Sequence, residues 1–553
     1  MNRKNMLPII IEKLIDLTAL AIFILILTGG VWGTSSFGKW ELSQLNGPVV
    51  IFIVLILIRC LFVKKKIVLF SFLLFEKCIE YVESASKKKI TFLICFLGVC
   101  YSFPMTYFVI KRHFSLCSNA YDLGLFNQLL WNSVHGNFLI SSLKGNLSYL
   151  TDHFSPIVVV LIPFYWFFQT PVTLLIFQTV SMTVSGILVY FISKKVTNNT
   201  VCSIAWLVVF YSFLPVRMIN IFDFHPVSLS IPFLLGAFLF YLNNKKIVMI
   251  LFLVLASFCK EEVALILTFF GVYVFFKNKE QKRGIFIVFY AVLIFILGVV
   301  ILPALLGKSY VYFNRFSYLG NSVSSILINS FTHPQRIIFK LCSFSTLRYV
   351  VRLLAPLAFL PLLSPVLLLM CFPTFIINML STFDAQNSIY YHYVSGIIPF
   401  LFIAGIYGFQ KVLLINKEWL KKGDTRFGSR RKSLLLVLLL ASLLFYGRSE
   451  VRRIRELQAS SEVLFSLNTA QKIIPKDAIV SAESHILPHL SSRQYIYMFP
   501  EIKDSDFIVF YPQAGSWPLP PDERDRLQHE LPEKGYSMIY DKHGLIVYKK
   551  SAQ

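Results

Sequence analysis

The sequence predicts an α-helical polytopic membrane protein with an α/β domain at its C-terminal end, and three observations carry that reading. Apolar residues make up 56% of the 553-residue chain and charged residues 15%, whereas a soluble globular protein is nearer half apolar and a quarter charged. Aromatic residues reach 16% and mean hydropathy is +0.66. The apolar residues also gather in runs approaching the ~20 residues that a membrane-crossing helix requires. A soluble enzyme, a disordered scaffold and a nucleic-acid-binding protein all fit this composition poorly. The balance of 53 Lys+Arg against 29 Asp+Glu, a net +24, reads as basic cytoplasmic loops that resist translocation rather than as a nucleic-acid surface.

Residues 1–89 read as an N-terminal membrane hairpin, spans 8–30 and 48–63, followed by an interfacial or re-entrant piece at 67–76. The first run is a retained anchor, because further apolar segments follow it closely. Residues 90–447 form the transmembrane core, with spans at 90–110, 172–193, 201–215, 227–243, 247–260, 263–276, 285–305, 347–363, 364–381, 393–412 and 433–447. That makes about 13 spans in all. Six basic clusters (Lys64–Lys66, Lys87–Lys89, Lys194/Lys195, Lys245/Lys246, Lys277–Arg283 and Lys417–Lys432) share one side if the N-terminus is cytoplasmic. The long polar loops 111–171, 216–226, 306–346 and 382–392 then fall outside, and so does everything after 448. Lys111-Arg112 and the set Arg448, Arg452, Arg453 and Arg455 resist this scheme.

Residues 448–553 change character and read as an extracytoplasmic α/β domain. Glu462–Ile474 is amphipathic, Ala478–Ser481 is strand-like, and Tyr495–Met498 and Phe507–Tyr511 are apolar runs ending in turns. Pro520–Leu531 opens with a helix-start signal, and Ser537–Tyr540 with Leu545–Lys549 flank a hairpin turn. Nine cysteines, mostly in apolar runs, make neither a disulfide framework nor a zinc site.

The candidate chemistry lies in the outer loops. Asp122 opens a stretch whose Leu123, Leu125, Phe126, Leu129, Leu130 and Trp131 have helical spacing, as in an amphipathic helix on the outer interface. Asp122 is then either that helix's N-cap or a carboxylate placed to take a proton from a substrate hydroxyl. His153, after Asp152, reads as a tether, a metal ligand or a proton shuttle. Asp223 and His225, flanking Phe224 before Pro226, read as helix capping or as part of a mixed-ligand metal site. Lys260, Glu261 and Glu262 interrupt an apolar run at about 2.5–3.5 kcal/mol per charge. They form either a tight outer turn or a site where Lys260 pairs with a lipid phosphate and a Glu binds metal. Tyr391 and His392 stand at the mouth of a span, suiting an interface anchor or a sugar- or lipid-lining surface.

In combination, Tyr121-Asp-Leu-Gly-Leu-Phe-Asn-Gln, Trp131-Asn, His135-Gly, Asp152-His-Phe-Ser-Pro, Phe222-Asp-Phe-His-Pro, Lys260-Glu-Glu and Tyr391-His-Tyr resemble domain-of-unknown-function family 2079, predicted bacterial polytopic membrane proteins. The resemblance covers about residues 90–550, and that family is similar in layout to the GT-C glycosyltransferases. It implies an inverting enzyme that moves a sugar from a polyprenyl-phosphate donor to an acceptor on the outer face of the cytoplasmic membrane. Asp122 occupies the place of the acidic residue in the first large outer loop, without the paired acid common in GT-C enzymes. On this reading Asp122 is the base, and Lys260, with Arg217 or Arg315, neutralises the leaving lipid phosphate. His153, Tyr391 and His392 bind substrate. Asp223, His225, Glu261 and Glu262 shape the pocket or hold a divalent ion. The expected partners are membrane lipid, the lipid-linked sugar and an acceptor, with the C-terminal domain gripping that acceptor or covering the site. The rival readings are a transporter or lipid flippase, against which the ionisable groups gather at one face instead of the midplane, and a non-catalytic envelope assembly protein.

Overall fold

A computed structural model describes residues 70–277, 280–305, 311–418, 434–442, 461–515 and 517–551. The expected spans 8–30 and 48–63, the basic cluster 417–432 and the arginines after 447 lie outside, or almost wholly outside, the described residues. The chain divides into residues 1–95 with 446–456, and 96–445 with 457–553. Of the first unit, helix Phe70–Ser84 and the start of helix Lys87–Phe114 are described.

The second unit is a helical body whose elements follow the apolar runs. Among the described residues, three helices are long and apolar enough to cross a membrane: Lys87–Phe114, Pro171–Thr197 and Gln281–Leu305. Thr200–Ser212 and Leu214–Ile221 make a fourth if taken as one span bent by 47°. The break falls at Phe213-Leu-Pro, where Pro215 cannot donate into the preceding turn. Shorter apolar helices occupy Val158–Phe167, Pro226–Leu242, Lys246–Ser257, Val263–Lys277, Pro365–Leu380 and Ile398–Leu414. The run 347–363 is not one helix. Helix Phe344–Leu354 ends there, and Ala358 and Phe359 adopt left-handed backbone between two 3-10 turns. Three prolines within ten residues (Pro356, Pro361 and Pro365) each remove a donor, which is why an apolar run of spanning length breaks.

The C-terminal segment forms a mixed sheet. A minimal hairpin, β1 (Ile140–Ser141) and β2 (Leu147–Ser148), comes first, in the 111–171 segment. The main sheet consists of β3 (Val480–Ala482), β4 (Ile496–Met498), β5 (Phe507–Phe510), β6 (Tyr536–Lys542) and β7 (Leu545–Lys550), in spatial order β4-β3-β5-β7-β6. The three N-terminal strands are parallel and every residue in them is buried, the pattern of a sheet covered on both faces. β6 and β7 close a two-residue hairpin at His543-Gly544, both with positive φ (54° and 77°). Such a turn matches the strand twist, and glycine takes its second position without strain.

The sheet does not stand apart. Its core residues Val480 and Val509, with Leu487 and Leu490 of the adjoining short helix, belong to one apolar cluster with Leu123, Leu129 and Leu130 of the 111–171 segment. Those three leucines are fully buried. The helix around Asp122 is therefore a core element between the membrane body and the sheet, not an amphipathic helix lying on the interface. Its apolar stripe faces the C-terminal sheet, a partner more than 350 residues away in sequence.

Candidate active site

The backbone carrying Asp122 is a single π-turn, Ala120–Gly124, that runs into helix Leu125–Val134. Wide turns of this kind often mark functional positions because they re-aim one side chain. Here the turn is pinned from both sides. The Asp223 carboxylate, fully buried, accepts the Asn119 backbone N–H at 2.8 Å and the Asn119 side-chain amide at 2.9 Å, while Arg112 Nη1 donates to its other oxygen at 2.6 Å. From the C-terminal side, Ser484 Oγ accepts the Ala120 N–H at 3.3 Å. Asn127 donates to Ser491 and Ser492 at 2.8 and 3.1 Å and accepts from Tyr165 at 2.6 Å. Gly124 is required for this approach, since a Cβ there would lie 2.7 Å from Leu487 Cδ2.

Asp122 is not the cap of either element, since Asn119 stands at the start of the turn and Gly124 at the start of the helix. Asp122 Oδ1 lies 2.9 Å from His225 Nε2, and its side chain is 26% exposed, so the carboxylate is held by one partner and open to another. His225 Nδ1 lies 3.1 Å from the Asp223 carbonyl oxygen. That acceptor places a hydrogen on Nδ1 and turns Nε2 toward the carboxylate. The ring stacks on His392 at 3.6 Å and lies 5.6 Å from Phe222. Burial first, then His225 and the cations Lys260 and Arg315, hold His392 well below the usual imidazole range, so it stacks as a neutral ring.

The His392–Tyr393 pair leads from this dyad to a second cluster. Tyr393 lies under both Lys260 and Arg315, each 5.5 Å from its ring centre. Lys260 pairs with Glu262 at 3.3 Å. Arg315 stands over Tyr312 and Phe383 at 4.7 and 4.8 Å and donates to Gln386 at 3.0 Å. No carboxylate among the described residues forms an ion pair with it. Lys260, Arg315, Glu261, Glu262 and His153 form the charged end of a cavity of about 360 Å³ whose remaining wall is mostly apolar, with Leu265, Phe295, Val299, Ile376 and Leu380.

His153 Nδ1 meets Glu261 at 2.8 Å, and Glu261 also accepts the Phe154 N–H. Burial opposes ionisation of Glu261, but His153, with its hydrogen bond, and Lys260 hold the carboxyl down to about 2. Asp152 pairs with Lys144 at 2.8 Å and accepts from Tyr312 at 3.1 Å. These contacts tie the 144–154 segment to the 260–262 turn and to the 311–316 turn.

The residues singled out in the sequence thus fall into two connected groups. Asp122, His225, His392 and, through Phe222, Tyr391 form one; Lys260, Glu261, Glu262 and His153 form the other. Arg217 is buried on helix Leu214–Ile221 and does not line the cavity. Asp223 is committed to Arg112 and Asn119. Among the described residues, no three of His, Cys, Asp and Glu converge as metal ligands. Asp223, His225, Glu261 and Glu262 each face a different partner, so they do not fit a single divalent ion. Sequence reading missed Arg112 and Tyr312 and named Arg315 only as an alternative. Arg112 did leave a trace, as a basic residue on the side where the topology disfavours one; its buried pairing with Asp223 explains it.

The family of predicted membrane proteins described as DUF2079 matches residues 112–547. The chain belongs to that family. The match begins at Arg112 and ends in β7, so it takes in the whole site and the sheet that backs it. The crystal structure of ArnT from Cupriavidus metallidurans bound to undecaprenyl phosphate is similar to this chain with a TM-score of 0.50, at 9% identity over 85% of this chain and 100% of that one. The same protein in the apo state gives 0.48, also at 9% identity over 85% and 100%. At that identity the likeness to the bound form is one of fold. No curated protein matches the sequence.

Proposed function

We propose that this chain is a membrane glycosyltransferase of GT-C layout that transfers a sugar from a polyprenyl phosphate to an acceptor hydroxyl on the outer face of the cytoplasmic membrane. The observation that carries the reading is the pairing of two features in one fold. A half-open carboxylate is held by an imidazole, and a stack of rings leads from it to a cavity with a mostly apolar wall that Lys260 and Arg315 also line. The likeness in fold to a protein crystallised with undecaprenyl phosphate supports the lipid-linked partner.

In the reaction, the acceptor oxygen attacks the anomeric carbon as the bond from that carbon to the phosphate oxygen breaks, inverting the centre. Asp122 takes the hydroxyl proton, and His225 fixes the carboxylate's orientation. The electron pair of the broken bond leaves on the polyprenyl phosphate. Arg315, which pairs with no carboxylate among the described residues, meets the growing negative charge, with Lys260 beside it. The prenyl chain lies along the apolar wall. Asp223 and Arg112 act at a distance from the chemistry by holding the Asp122 turn.

The test is sugar transfer from a labelled polyprenyl-phosphate donor in proteoliposomes. Asp122→Asn removes the base and is expected to lower turnover by about 10²–10⁴-fold. Transfer at the wild-type rate by a folded Asp122→Asn protein overturns the reading.

A further inference from the structure

Three short helices follow the 311–316 turn in close succession: Val323–Thr332, Pro334–Leu341 and Phe344–Leu354. At 1.5 Å per residue the longest is about 16 Å, half the thickness of a bilayer core, so none can cross it. Yet their large apolar side chains point outward. Phe331, Phe339 and Phe344 are 84%, 77% and 78% exposed, and Ile338 and Leu347 are also exposed. Beside these stand Arg336, Lys340, Arg348 and Arg352. Arg336 donates to the Tyr318 carbonyl and Arg352 to the Tyr390 hydroxyl, both neutral groups. No ion pair with a carboxylate involves any of the four among the described residues. The reason is plain in the sequence: positions 281–383 hold eight Lys and Arg and no Asp or Glu.

Exposed aromatic residues beside basic ones on short helices are what the boundary between headgroups and acyl chains accepts, the rings entering the bilayer and the cations facing phosphates. We propose that helices Pro334–Leu341 and Phe344–Leu354 lie in that boundary and bind anionic phospholipid headgroups through Arg336, Lys340 and Arg348. The surface adjoins the transfer cavity, because Ile326 and Ser330 of the preceding helix line it. The proposal does not depend on the transfer reaction. A water-soluble polyanion would satisfy the cations but leave the phenylalanines in water, so the membrane is the better occupant.

The test uses the full chain in neutral detergent, equilibrated with equal amounts of phosphatidylglycerol and phosphatidylcholine, with the lipid retained after size exclusion measured by mass spectrometry. Wild type is expected to retain phosphatidylglycerol in excess. Each basic residue at an anionic surface strengthens association by about fivefold, so Arg336→Glu with Lys340→Glu and Arg348→Glu is expected to abolish the excess. Arg336→Lys with Arg348→Lys should keep it. Phe339→Ser with Phe344→Ser should lower retention of both lipids. If the triple variant misfolds, single reversal of exposed Arg348, expected to lower the excess about fivefold, decides the matter. Equal retention of the two lipids by wild type, an excess that survives reversal, or full retention after loss of the phenylalanines each overturns the proposal.

Discussion

Replacing His225 by alanine separates positioning from proton transfer. Among the described residues the Asp122 carboxylate pairs with His225 Nε2 at 2.9 Å, and its side chain is 26% exposed. A hydrogen bond to a charged group is worth about 1.5–3 kcal/mol. Losing it converts, at 1.36 kcal/mol per tenfold, into a turnover about 10- to 150-fold lower. That is a smaller loss than removal of the base itself, about 10²–10⁴-fold. His225→Gln keeps an amide donor near the same place and should recover part of the rate. KM for the lipid-linked donor should hold steady, because the proposed place of its phosphate is with Lys260 and Arg315. The assay is steady-state transfer in proteoliposomes with donor and acceptor varied separately. Turnover at the wild-type level in His225→Ala, with transfer still lost in Asp122→Asn, would refute the dyad while leaving the base in place.

The remaining expectations concern the cation pair, the packing of the turn, acid stability and topology. Arg315→Ala should raise KM for the donor by about 10- to 150-fold, the worth of a charged hydrogen bond, and by more than Lys260→Ala does; the reverse order sinks the assignment of Arg315 as the phosphate's main partner. Gly124→Val should cost about 1–3 kcal/mol through overpacking against Leu487, seen as a lower melting temperature that Leu487→Ala partly restores. Glu261, held at about 2 against an ordinary 4.5, is protonated first in the unfolded chain, so its contribution is complete above pH 4.5 and is lost as pH falls toward 2. The gap amounts to at most about 3 kcal/mol, and His153→Phe should flatten the fall in melting temperature between neutral and acid pH. A reporter active only in the cytoplasm, fused near Asp504, should stay silent; activity there overturns the orientation.

Much of the helical body was legible in the sequence because a bilayer imposes length on apolar runs. Helices Lys87–Phe114 and Pro171–Thr197 fall on the expected stretches within a few residues. The C-terminal strands were legible too, since short apolar runs closed by turns leave few alternatives. The site was only half legible, for a physical reason. Local logic treats an Asp before a helix as that helix's own cap. Asp223 does satisfy backbone at a helix start, but it is the start at Asn119, 104 positions earlier. Asp122, offered the same local role, instead takes His225 as its partner, 103 positions later. Sequence spacing records neighbours along the chain, and both carboxylates find their partners across it. The break at 358–359 was visible as three prolines, yet the apolar count outweighed them in the reading.

The contact between the Asp122 helix and the C-terminal sheet sets a schedule for the protein's synthesis. Asn127 and Ser491 lie 364 positions apart, and Ser142 and Ile496, whose backbone carbonyl accepts its hydroxyl, 354. At a synthesis rate of about 5–20 residues per second, roughly 20–70 s pass between the emergence of the turn and that of the face that holds it. Over that interval the nascent chain carries Asp122 without the wall that aims it. The Asp122 turn therefore gains its supporting wall only once the segment around Ser491 and Ile496 has been made.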